Sequence, residues 1–81
     1  MNELVTIRLY AAARAAANNS EILVGPSQLD LILDEIAVGN PRLAQVFEQC
    51  SVLVDGVVVH DRKVQIPARS VVDVLPPFAG G

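Results

Sequence analysis

Between residues 27 and 39 the sequence reads SQLDLILDEIAVG, and this stretch restricts the fold more than any other. Leu29, Ile32, Leu33 and Ile36 fall at i, i+3, i+4 and i+7, so one stripe of a helix must face a core. Ser27 is placed as an N-cap, and Asp30 lies in the first turn, where the helix dipole favours a negative charge. Gly39 is placed to stop the helix. Several short segments on either side alternate with a period of two, which supplies strands for that stripe to pack on.

On the N-terminal side, LVTIRLY (Leu4–Tyr10) puts Val5, Ile7 and Leu9 on one face and Thr6 and Arg8 on the other, as a half-buried strand requires. The alanine-rich AAARAAANN has room for a helical turn or two, closed by Asn18 and Asn19. SEILVG predicts a second strand with Ile22 and Val24 inward, ended by Gly25-Pro26. The separation is too long for a tight hairpin, so the two strands are expected to pair antiparallel more loosely. After the helix, Asn40 and Pro41 form a fresh N-cap and first position, with Leu43, Val46 and Phe47 at i, i+3 and i+4, so a short second helix follows.

CSVLVDGVVV then returns to strand, with Val52 and Val54 alternating against Ser51 and Leu53, and Asp55-Gly56 as a turn. VVVHDRKVQI holds a short strand and irregular structure, with Pro67 limiting any central pairing. In the last strand, SVVDVL, Val72 and Val74 point one way and Val71, Asp73 and Leu75 the other. The order is β-β-α-(α)-β-β-β. It predicts an α+β domain: a mixed sheet of about five strands, one main helix on one face and a short second helix. With the first and last strands side by side, that is the β-grasp arrangement of ubiquitin-like proteins.

Composition narrows the function. A chain of 81 residues is one small domain, able to bury about 60–65% of its unfolded surface, and its 52% apolar content can build that core without staples. A single cysteine, Cys50, cannot form an internal disulfide, which fits a reducing compartment. No apolar run approaches the ~18 residues of a membrane span, and MNELVTIRLY lacks the layout of a signal peptide, so a soluble, cytoplasmic protein is expected. A net charge of -3 with six scattered Lys and Arg argues against nucleic acid, as do the few aromatics, Tyr10, Phe47 and Phe78.

The last seven residues are LPPFAGG. A glycine pair there supplies no core, cap or turn. VTIRLYAAARAAA, the helix SQLDLILDEIA, VLVDGVVV and VVDVLPPFAGG resemble, in order and spacing, the MoaD/ThiS sulfur-carrier family over essentially the whole chain. LPPFAGG looks most like its molybdopterin synthase small-subunit branch, whose tail usually reads Leu-Pro-Pro, two variable residues, Gly-Gly. The turn Pro67-Ala68-Arg69-Ser70 departs from the acidic, glycine-containing turn more usual there.

The resemblance implies a carrier that is not an enzyme on its own and binds no cofactor or metal. Gly81 would be adenylated by an ATP-using activating enzyme (MoeB-type), converted to a thiocarboxylate, and would pass its sulfur to a dithiolene within the large synthase subunit (MoaE-type). It divides the chain into a body, residues 1–75, and a flexible tail, residues 76–81. Physical chemistry agrees. Gly80 and Gly81 lack a Cβ, so they can thread a narrow channel, while Pro76 and Pro77 fix φ and straighten the base of the tail. Leu75, Pro76, Pro77, Phe78 and Ala79 are the expected docking residues. The same chemistry leaves open a carrier for thiamine or another product, a ubiquitin-like modifier conjugated through Gly81, and a plain interaction domain with an idle tail.

Other residues carry weaker signals. His60, beside Asp61, reads as a surface residue rather than a catalytic or metal-binding one. Cys50 reads as a buried small hydrophobe rather than a sulfur relay. Asp61–Lys63 reads as a solvated turn, and Arg8 and Arg14 lie too far apart to form a patch. No phosphate-cradling loop or nucleophile–base pair is present, which assigns the ATP site to a partner.

Overall fold

The computed structural model describes residues 3–77. Its central element is a five-stranded sheet in the order β2-β1-β7-β4-β5. Strands β1 (Val5–Leu9), β2 (Glu21–Val24), β4 (Ser51–Val54), β5 (Val57–Val59) and β7 (Val71–Leu75) compose it. β1 and β7 run parallel at its centre, Ile7 opposite Val72, and every other pairing is antiparallel. β3 (Ser27–Gln28) and β6 (Gln65–Ile66) form a separate antiparallel pair. The helices are α1 (Ala11–Ala17), α2 (Leu29–Ile36) and α3 (Pro41–Gln49). This is the expected α+β, mixed-sheet β-grasp. The alanine-rich stretch forms a full helix, so the described residues carry three helices of seven to nine residues.

The alternation read from the sequence decides the packing. Val5, Ile7 and Leu9 of β1 and Val72 and Val74 of β7 are all buried. They meet Leu29, Ile32 and Leu33 of α2 and Leu43 and Phe47 of α3 in one apolar cluster. Ile22 and Val24 of β2 pack against its edge, while Leu23 between them is 56% exposed. Asp55 and Gly56 take φ of 49° and 83° in the β4–β5 turn, the positive-φ pair that a two-residue hairpin favours. Asn18 closes α1 in the left-handed region, as its position suggested.

Helices α3 and α2 are started by different groups. Asn40 caps α3: its Oδ1 accepts from the Leu43 N–H at 3.1 Å, with Pro41 in the first turn. Its Nδ2 also donates to the Ala16 carbonyl at 2.9 Å, tying α3 to α1. Ser27, by contrast, does not cap α2. It is taken up in β3, and Gln28 precedes the helix without a side-chain cap. The orphan N–H groups of Leu29 and Asp30 donate instead to the carbonyls of Val64 (2.9 Å) and Arg62 (2.7 Å). Backbone from the β5–β6 connection does the work a serine hydroxyl would otherwise do.

Candidate functional site

The helices cover one face of the sheet, and alternation places the remaining strand residues on the other. Register puts Glu21, Arg8, Asp73, Leu53 and Val58 in one row across all five strands. Leu75, opposite Ser51, stands two residues further along β7. Leu53, Val71 and Leu75 on this face are half-buried, and Val58 is 52% exposed. The face opposite the helices therefore combines a charged row, Glu21, Arg8 and Asp73, with an apolar side formed by Leu53, Val58 and Leu75.

At its centre is a polar cluster. Arg8 grips Asp73 with both arms of its fork, Nε to Oδ1 at 2.6 Å and Nη2 to Oδ2 at 3.1 Å. The Tyr10 hydroxyl donates to the same Oδ1 at 3.0 Å. Asp73 is the better covered partner, its side chain 14% exposed against 47% for Arg8. Hydrogen bonding from Arg8, joined by Tyr10, holds the Asp73 carboxyl below its ordinary range against the opposing pull of partial burial. Asp73 in turn raises the Tyr10 hydroxyl, mainly as its hydrogen-bond acceptor, and raises Arg8 in the same way.

The predicted site residues begin where this cluster ends. Leu75 is the last residue of β7, half-buried; Pro76 is half-buried and Pro77 exposed. Phe78, Ala79, Gly80 and Gly81, the remainder of the expected docking and reacting residues, lie outside the described residues. The structure thus places Leu75, Pro76 and Pro77 at the end of the central strand, beside the open face. Tyr10 and Asp73 were not singled out from the sequence. They share the outward parity of Arg8 and Leu75, and parallel pairing of the end strands would have brought them together.

The other candidates resolve simply. Cys50 is buried, 7% exposed, with its thiol donating to the Val46 carbonyl at 3.1 Å. Burial pushes that thiol up, with Arg62 pulling the other way. His60 is exposed. Asp61–Lys63 does form a turn, in which the Asp61 carboxylate accepts from the Lys63 N–H at 2.9 Å, but it is not wholly solvated. Arg62 turns inward, donating to the carbonyls of Phe47 (3.0 Å) and Cys50 (2.6 Å) and so closing the C-terminal end of α3. Among the described residues no three His, Cys, Asp or Glu side chains gather to hold a metal ion, and no helix is long and apolar enough to cross a membrane.

The ThiS family profile matches residues 7–81, almost the whole chain. The chain belongs to the ThiS family. Solved structures carry the same fold. SAMP1 from Haloferax volcanii superposes with a TM-score of 0.79 at 21% identity, covering 96% of this chain and 99% of that one. A putative molybdopterin converting factor subunit 1 from Pyrococcus furiosus gives 0.77 at 17%, covering 94% and 99%. The complex of subunits 1 and 2 of molybdopterin-converting factor from Helicobacter pylori 26695 gives 0.71 at 15%, covering 96% and 99%. No curated protein sequence matches significantly. Identities this low show the fold alone, a ubiquitin-like β-grasp.

Proposed function

We propose that this chain is the sulfur-carrying small subunit of a molybdopterin synthase. The observation that carries the reading is the ThiS match running through Gly81, with LPPFAGG following the central strand. In the proposed cycle a Gly81 carboxylate oxygen attacks the α-phosphorus of ATP on an activating partner, and pyrophosphate leaves. A sulfide-level sulfur nucleophile then displaces AMP from the acyl carbon, giving a thiocarboxylate; as that sulfur passes into a dithiolene on the large subunit, water replaces it on the acyl carbon and the Gly81 carboxylate returns. The apolar side chains of Leu53, Val58 and Leu75 on the open face support a docking role for both partners, since partly exposed apolar groups beside a reactive tail suit a surface that is buried and released in turn.

Likeness to SAMP1, a small archaeal modifier protein, supports a second reading in which a lysine amine takes the same activated acyl group. Intact-mass analysis of the chain recovered from cells separates the two. A carrier shows one oxygen exchanged for sulfur at Gly81, whereas a modifier gives higher-mass adducts with branched Gly-Gly on lysine after digestion. Deleting Gly81, or adding residues after it, should abolish dithiolene synthesis with the fold unchanged. Lysine adducts without any thiocarboxylate would overturn the carrier reading.

A further inference from the structure

We propose that Arg8, Tyr10 and Asp73 form a positioning device that sets the direction in which the tail leaves the sheet, an inference that rests on the carrier reading for its purpose. Three observations converge. Asp is an unfavourable residue for the middle of a central strand, yet Asp73 occupies β7, between β1 and β4. All three hydrogen bonds to its carboxylate come from β1 or the residue just after it. That residue, Tyr10, leads into Ala11 at φ 49°, a left-handed conformation that alanine adopts only when its surroundings impose it. The Tyr10 carbonyl also accepts from Ala13 and Arg14 at 3.0 and 3.3 Å. The carboxylate thus binds β7 to the strained β1–α1 junction two residues before the last strand residue.

The position matters because backbone pairing stops there. Register with β1 ends at Leu9 opposite Val74, and register with β4 at Ser51 opposite Leu75. Pro76 and Pro77 have no N–H and cannot be pinned by a ladder, but their fixed φ makes them a stiff rod. Any looseness at Leu75 is therefore carried outward. Over the roughly 7 Å that Pro76 and Pro77 span, a swing of about 15° at the root moves their far end by about 2 Å and redirects whatever follows. Glycines at the far end can adapt once inside a channel, so the rod's direction governs capture more than the later chemistry.

Asp73→Ala removes the anchor, Tyr10→Phe only the hydroxyl, and Asp73→Glu restores the charge on a longer arm. Amide hydrogen exchange on the full chain reads the root directly. In Asp73→Ala, Val74 and Leu75 should exchange at least ten times faster while Val72 keeps its rate; Tyr10→Phe should show the same pattern more weakly, and decides the matter if Asp73→Ala does not fold. With the host's adenylating enzyme and ATP, the KM for Asp73→Ala should rise about tenfold with kcat within twofold, and Asp73→Glu should recover part of the loss. Uniform acceleration of all three amides, or an unchanged KM, overturns the proposal. If the wild-type chain is not a substrate, the carrier reading falls, and exchange alone judges whether these side chains hold the root.

Discussion

Replacing Arg62 with alanine should destabilise the protein far more than loss of a surface cation would. Its guanidinium reaches the Phe47 carbonyl at 3.0 Å and the Cys50 carbonyl at 2.6 Å, at the end of α3 where intrahelical partners run out. Hydrogen bonds from a charged donor contribute about 1.5–3 kcal/mol each. Arg62 is half-buried, so water can replace part of what is lost, and a net loss of about 2–3 kcal/mol is expected. In a domain of this size each kcal/mol moves Tm by roughly 4–8 °C, giving a fall of about 10–20 °C. Arg62→Lys keeps a positive charge near the helix end, which contributes about 0.3–1 kcal/mol, but a single ammonium lacks the fork that serves two carbonyls. It should recover less than half the loss. Urea unfolding followed by far-UV circular dichroism, with the m-value checked for constancy, gives both numbers. A loss below about 0.5 kcal/mol, within the range of ordinary surface substitutions, or full rescue by lysine, refutes the capping role.

Asn40→Ala should lower stability by about 1–2 kcal/mol in the same assay, since it removes the α3 cap together with the bond to Ala16. Asp73 has a folded pKa below its unfolded value, so its contribution is present above about pH 4 and is lost as pH falls through the depressed folded value. Asp73→Asn should therefore be less stable than wild type at pH 7, with the gap narrowing below pH ~4 in acid titration of the unfolding free energy. Phe78→Ala should weaken binding to the activating enzyme and the large subunit by about 2 kcal/mol without changing Tm; calorimetric titration showing unchanged affinity for both would remove Phe78 from the interface.

The sequence disclosed what depends on period and neighbours. Leu29, Ile32 and Leu33 announced the buried stripe of α2, Asn40-Pro41 the start of α3, and Asp55-Gly56 the hairpin, because each acts within a few residues of itself. What it concealed depends on partners brought together by folding. Ser27 looked like a cap because nothing local revealed that the carbonyls of Arg62 and Val64 would serve α2 instead. Arg62 looked like part of a solvated turn because its acceptors lie 12 and 15 residues away. Arg8 and Asp73, 65 residues apart, became legible only once the end strands were placed side by side. At the candidate site, LPPFAGG and the resemblance it carries supplied the expectation for Leu75 to Gly81, of which the structure describes Leu75, Pro76 and Pro77, while the contact of Tyr10 with Asp73 required the register.

The parallel pairing of β1 and β7 also decides how the body answers to force. A partner that draws the tail into a channel pulls on the C-terminal end of β7, roughly along the strand. Hydrogen bonds between neighbouring strands lie across that direction, so the tension is shared along the ladder in shear and does not open it bond by bond. With β7 flanked on one side by β1 and on the other by β4, two ladders resist at once. On the proposed carrier function, the strand that bears the tail would stay seated through each cycle of partner binding and release.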